Sequence, residues 1–153
     1  MKTNQQITIS EVQLIYKSKV KASDRMKITC SGDAHKIFMD SWNPDTLEYV
    51  EEFKILLMNR SNSVLGILEI SKGGISGTVT DIRVIFVAAI KANASGIIVC
   101  HNHPSGNLNP SQSDTKITQK IKEAGNLMDI QLLDHLILTM DGSYYSFADN
   151  GLL

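Results

Sequence analysis

The chain has 153 residues, of which 42% are hydrophobic and 20% charged, with a formal net charge of −1. That length suits a single domain with a real core. The absence of a basic excess argues against a sequence-independent grip on nucleic-acid phosphates. No apolar run approaches membrane-spanning length, the opening MKTNQQ lacks a signal peptide's apolar core, and two cysteines without framework spacing predict a reducing, cytoplasmic setting.

Taken in order, residues 7–17 (ITISEVQLIYK) alternate well enough to predict a first strand, with Val12, Leu14 and Tyr16 on one side. A helix is expected from about Ser31 as N-cap, because Ala34, Ile37, Phe38 and Trp42 share a helical face, and Asn43-Pro44 stops it. Trp42, the only tryptophan, reads as a core or interface anchor. Two apolar runs, LEYVEEFKILLMN and SVLGILEIS, flank a polar turn near Asn59 to Asn62 and predict a β-hairpin. Along its first strand Glu51, Phe53, Ile55 and Leu57 fall on one face, with Glu52 and Lys54 on the other. Glu51 is therefore an acid at the mouth of an apolar face, although a pair of adjacent glutamates is more usually solvated surface charge.

The loop SKGGISGT is glycine-rich but lacks the Gly-Lys-Ser/Thr ending of a nucleotide-binding loop, so its glycines are expected to make a tight turn. Residues 80–94 carry helical periodicity through Ile82, Ile85, Phe86, Ala89 and Ile90, with Thr80 or Asp81 as cap and Gly96 as the end. The run Ile97 to Cys100 then reads as a buried strand. If it continues, period-2 alternation puts His101 and His103 on one face and Cys100 on the other, as a core thiol. Pro104 and Gly106 break the strand, and Pro110-Ser111 leads into a helix whose first turn brings back Asp114.

Two histidines and a carboxylate, leaving a fourth position for water, make the ligand count of a catalytic zinc site. Singly, each residue has a plainer reading: Ser111 and Asp114 resemble a capping box, and the histidines could be exposed loop residues. The literal string HNH is no evidence for the nucleases of that name, whose residues are spread over a longer motif. Beyond Asp114, Ile117, Ile121 and Ala124 predict a buried helical stripe ending at Gly125. IQLLDHLILT predicts a strand, DGS a turn and YYSF a closing strand. His135, alone in an apolar strand, reads as a hydrogen-bonded core residue outside the site. No internal repeat, linker or low-complexity tract is present.

His101, His103, Ser111 and Asp114 together match the HxH-x7-SxxD element of the JAMM (MPN+) metallopeptidases. The fuller string HNHPSG, then PS and D, then LLDHLIL, resembles the RadC-like branch of that family, over Leu47 to the C-terminus. The element order of strand, helix, hairpin, helix, strand, helix and two strands suits an α/β fold, a mixed β-sheet flanked by helices. The resemblance makes this more definite by implying an architecture related to the cytidine deaminases. It also implies a division into an N-terminal strand–helix extension, 1–44, and a metal-site core, 45–153. Full-length members usually carry a helix-hairpin-helix region, for which 1–44 is too short and too strand-like, so the resemblance lends little to a nucleic-acid role. Family members also share a Gly-Thr pair, matched by Gly77-Thr78, and the LDH that includes His135, which suggests a supporting role for that ring.

The activity implied is zinc-assisted amide hydrolysis of a peptide or protein substrate, in the family often an isopeptide of a ubiquitin-like protein. His101, His103 and Asp114 would hold Zn²⁺. Glu51, with Glu52 as fallback and Glu69 a distant third, would be the general base, and Ser111 would donate a hydrogen bond to the oxyanion. A zinc deaminase would need a glutamate two residues after the first ligand and a PCxxC element; here that position is His103 and no such cysteine pair exists. The remaining rival is a non-catalytic or nucleic-acid-associated scaffold in DNA repair or mobile-element biology.

Overall fold

The structure, a computed structural model, describes residues 10–13, 15–73 and 79–153. Three helices, α1 (Ser31–Ser41), α2 (Ile82–Lys91) and α3 (Gln112–Leu127), surround strands β1 (Glu52–Met58), β2 (Val64–Lys72), β3 (Gly96–Asn102), β4 (Gln131–Leu138) and β5 (Tyr144–Ser146). The strands form one mixed sheet in the order β2-β1-β3-β4-β5. β1 runs antiparallel to both β2 and β3, β3 and β4 are parallel, and β5 closes antiparallel on β4. This is the layered α/β architecture that the sequence predicts.

Both central strands, β1 and β3, are buried along their whole length, because helices cover the sheet on each side. On one side Phe53, Ile55, Leu57, Ile97 and Val99 pack against Ile85, Phe86 and Ala89 of α2 and Ile121 of α3. On the other, Leu56, Met58, Ile98 and Cys100 pack against Ala34 and Phe38 of α1, with Trp42. Each such aliphatic side chain taken fully from water contributes about 1.5–3 kcal/mol. The two-sided burial explains why these strands read as continuous apolar runs. Cys100 is a buried free thiol on the α1 side, as alternation requires, and Trp42 is core, with the Lys54 ammonium 4.3 Å above its ring.

Several sequence expectations need correction. Of the first strand expected over 7–17, residues 7–9 and Leu14 lie outside the described residues, and the rest is not in a strand. Val12 is 84% exposed, and the segment docks through the Tyr16 hydroxyl, which donates to the Leu65 carbonyl at 2.6 Å. Alternation makes a strand only where a neighbour takes up the backbone hydrogen bonds. The helix expected to be capped by Ser31 starts there instead, with Cys30 as N-cap. Asp33 closes the capping box, accepting from the N-cap Cys30 N at 3.3 Å and from Thr29 N just before it at 2.8 Å.

Helix α2 stops at Lys91, not Gly96, because Asn93 turns the chain at φ 53° and Gly96 already belongs to β3. Asp81 is its cap, accepting from Arg83 N, and Ile90 is half-exposed rather than core. In α3 the expected stripe faces the core, with Ile121 fully buried and Ile117 and Ala124 packed partly covered against it, and the buried side extends to Asp114, Thr118 and Gly125. The helix also continues past Gly125 to Leu127. The tight turn expected of the glycine-rich loop, with Gly77-Thr78, lies outside the described residues. No helix among the described residues is long and apolar enough to cross a membrane.

Gly125 marks the closest approach in the helical layer. A Cβ there would stand 2.2 Å from the Ile130 carbonyl oxygen, which is backbone and cannot swing aside. Gly125→Ala is expected to cost about 1–3 kcal/mol by overpacking, despite alanine's better helix propensity. A lowered urea midpoint checks this; an unchanged or raised midpoint would show that the α3–β4 connection yields freely.

Candidate metal centre

The site forms where β3 ends and α3 begins. β3 carries His101 on the face covered by α2 and α3, in register with Phe53 of β1, whose ring stacks on the imidazole at 6.1 Å. His103 follows just past the strand, its N–H donating to the Leu138 carbonyl at the end of β4. Gly106 then adopts φ 79°, a left-handed conformation natural to glycine, and its N–H donates to the His103 carbonyl. The returning loop places Ser111 as N-cap of α3 and Asp114 in the first turn.

Ser111 and Asp114 form the capping box, and the Asp114 carboxylate also stands beside both imidazoles. Asp114 Oδ2 accepts from Ser111 N at 2.7 Å, and Ser111 Oγ accepts from Asp114 N at 3.0 Å, a complete capping box. The same carboxylate still reaches both imidazoles: Oδ1 lies 3.2 Å from His101 Nε2 and Oδ2 lies 3.3 Å from His103 Nε2. The two Nε2 atoms are 3.0 Å apart. Asp114 is thus turned inward, 8% exposed, and not out into solvent as a pure cap would be.

These spacings suit a cation. Ligand atoms about 2.0–2.1 Å from a tetrahedral zinc lie about 3.3–3.4 Å from one another. His103 Nδ1 faces the carbonyl oxygen of Asn107, which can only accept, so the proton of a neutral ring is on Nδ1 and Nε2 is bare. A bare nitrogen, a carboxylate and a second imidazole nitrogen in mutual contact repel one another unless a proton or a metal ion lies between them. His101, His103 and Asp114 are the group among the described residues able to hold such an ion.

The electrostatics agree. Burial pushes the Asp114 carboxyl up, but the His101 and His103 rings beside it and the Ser111 N–H outweigh that and hold the group far below the carboxylate range. Burial lowers His103, yet Asp114 and the Asn107 carbonyl, with the charge of Glu51 adding, raise it above the usual histidine value. The site attracts positive charge.

A cleft of about 710 Å³ opens above these residues, with Glu51 and Ser111 in its wall and Phe53, Val79 and Ile117 as its apolar side. Glu51 sits immediately before β1, half-buried, and its carbonyl accepts from Gly73 N. Glu52 faces the other side of the sheet, where Lys54 and Lys72 approach its carboxylate at 3.5 and 3.1 Å and Thr46 donates to it. Burial raises that carboxyl, but hydrogen bonding and charge from the two lysines and Thr46 lower it overall, so it is an ion-paired structural acid. Glu69 is exposed on β2 and does not line the cleft. A second depression, about 630 Å³, lies at the opposite end of the sheet among Asn59, Asn62, Asn126 and Gln131, away from the histidines.

Two further residues touch the site, and a third holds the backbone beside it. His135, expected to stand outside it, lies directly behind His101, with Nε2 2.8 Å from His101 Nδ1, and burial drives its proton affinity well below the usual value. Thr118 touches His135 at 2.6 Å. Its signal was available as the residue one turn after Asp114, but a stripe drawn from apolar residues alone passes over a threonine. Asn102, between the two histidines, points to the opposite face. Its amide donates to the Leu47 and Val50 carbonyls at 2.7 and 2.9 Å and accepts from Glu52 N at 2.8 Å, clamping the backbone on either side of Glu51. Nothing in its sequence environment announces that contact.

A family model described as RadC-like JAB domain matches residues 28–152. The chain is 50% identical over 127 residues to a UPF0758 protein of Flavobacterium johnsoniae, covering 82% of this chain and 53% of that protein. It is 46% identical over 103 residues to one of Porphyromonas gingivalis (67% and 45%), and 36% identical over 152 residues to one of Clostridium beijerinckii (99% and 65%). The chain therefore spans about half to two-thirds of the length of these relatives.

Proposed function

The chain belongs to the RadC-like JAB domain family, and on that premise we propose that it is a zinc-dependent hydrolase of amide bonds, acting on a peptide or isopeptide. The observation that carries this reading is the mutual approach of His101 Nε2, His103 Nε2 and the Asp114 carboxylate at 3.0–3.3 Å, in a cleft that also holds an acid and a free hydroxyl.

The three side chains would hold Zn²⁺ through two neutral nitrogens and one anionic oxygen, a donor set suited to that ion. Zinc held there would supply Lewis acidity and lower the pKa of water toward about 7. Glu51, in the wall of the same cleft, accepts the proton of the attacking water and returns it to the leaving amine, so one carboxylate serves as base and then as acid. Ser111 Oγ accepts the Asp114 N–H, which leaves its own O–H proton for the oxyanion. A donor so placed contributes about 3–4 kcal/mol to the transition state. Phe53, Val79 and Ile117 give the substrate an apolar wall and shed water from the reacting bond.

The test begins with elemental analysis of protein purified without chelator or added metal. About one zinc per chain is expected, followed by cleavage detected by mass spectrometry across a library of peptides and lysine isopeptides. Protein that neither retains zinc nor takes it up on titration would end the reading. Zinc at full occupancy with no cleaved bond would favour a metal-stabilised scaffold.

A further inference from the structure

We propose that Thr118 and His135 are positioning residues that set the tautomer of His101, keeping its Nε2 free of a proton and turned to the metal site. The inference deepens the zinc reading above and rests on it. The Thr118 hydroxyl lies 2.6 Å from the Asp114 backbone carbonyl and 2.6 Å from His135 Nδ1. A carbonyl oxygen has no proton to give, so the hydroxyl's single proton goes there and its oxygen accepts the Nδ1–H of His135. A neutral imidazole carries one N–H. His135 Nε2 is then bare, and accepts at 2.8 Å from Nδ1–H of His101. The remaining nitrogen, His101 Nε2, is left as a lone pair 3.0 Å from His103 Nε2 and 3.2 Å from Asp114 Oδ1.

The ladder thus starts at the backbone of Asp114 and ends beside its carboxylate. Thr118, His135 and His101 are 3%, 0% and 2% exposed, so water does not stand in for a missing link. The His135 ring is also held against rotation, with Phe147 stacked on it at 4.7 Å and Phe53 edge-on at 5.7 Å. Reversal of the ladder would have a specific consequence. If Thr118 gave its proton to His135, an N–H would arrive at His101 Nε2, bond to Asp114 and shut out an ion. The hydroxyl's bond to the Asp114 carbonyl selects the metal-ready direction.

The experiment uses metal-free protein with ¹⁵N-labelled histidine, reading two-bond ¹H–¹⁵N correlations, together with zinc affinity by competition against a chromophoric chelator. The parent is expected to carry its protons on Nδ1 of both His135 and His101. Thr118→Val keeps the shape and removes the hydroxyl. It is expected to move both protons to Nε2 and weaken zinc binding about 10–100-fold, the range for losing a partner of a metal ligand. Thr118→Ser restores both readouts. A packing role alone would leave the valine variant with parental tautomers and affinity, and that result would overturn the proposal. So would an Nε2–H on His101 in the parent, which decides the matter even if the valine variant fails to fold. If the parent takes up no zinc, the hydrolase reading fails, while the ring spectrum still judges the ladder by itself.

Discussion

Asp114→Asn is expected to fold, keep helix α3 and lose its zinc. The asparagine carbonyl oxygen can still accept from Ser111 N, so the half of the capping box that depends on this side chain survives. The other end of the amide becomes a neutral N–H donor where Oδ1 had faced His101, and the oxygen left beside His103 is no longer anionic. One of three ligands is then gone, along with the negative charge that offsets the ion. Zinc affinity should fall by more than the roughly 10–100-fold typical of losing an outer partner. Chelator competition measures the affinity, and the helical circular dichroism signal shows whether the fold is intact. Ser111→Ala is the complementary change, removing the serine half of the cap at about 1 kcal/mol while leaving all three ligand side chains. An Asp114→Asn protein that binds zinc as tightly as the parent would mean that the His101–His103–Asp114 cluster is not the metal site.

Glu51→Gln is expected to show the opposite separation. The glutamine is nearly isosteric and its position before β1 is held by the backbone, with Asn102 clamping Val50 and Glu52 on either side. Zinc content should therefore stay at the parental level. Hydrolysis of any peptide or isopeptide that the parent cleaves should fall about 10²–10⁴-fold, the usual contribution of a positioned general base. Glu52→Gln separates position from chemistry. It breaks a buried carboxylate's pairing with Lys54 and Lys72, so its effect belongs in the urea midpoint and not in the rate constant. Parental turnover by the Glu51 variant would remove that residue from the mechanism.

The contrast between Glu51 and Glu52 also shows how far a sequence reading reaches. Period-2 alternation separated the two acids correctly, because β1 keeps an unbroken register with β3 and has helices on both faces. The same rule brought His101 and His103 to one face and sent Cys100 to the other. The width of a buried helical side was less legible. In α3 the apolar residues Ile117, Ile121 and Ala124 marked the side that meets the core but not its full width, because the buried side also includes the polar Asp114 and Thr118. A hydrophobic pattern is blind to polar groups that are buried by pairing with one another. The first strand failed for a different reason. Val12 and Tyr16 alternate, but among the described residues no neighbouring strand accepts that segment's backbone.

By itself the sequence determined what is local and periodic: the three helices, the hairpin, the strand that delivers two imidazoles, and the helix start that returns a serine and a carboxylate. These follow from side-chain alternation, capping chemistry and turn residues within a few positions of one another. Only the tertiary structure decided which distant groups meet. His135 arrives behind His101 because β4 lies parallel to β3, and Thr118 reaches His135 because α3 packs back across that pair. The Asn102 amide meets the Glu52 N–H because β1 and β3 are neighbours in the sheet. Such contacts depend on the register of strands and helices far apart in the chain. No spacing along the sequence encodes that register directly, since it is chosen by which apolar faces bury together.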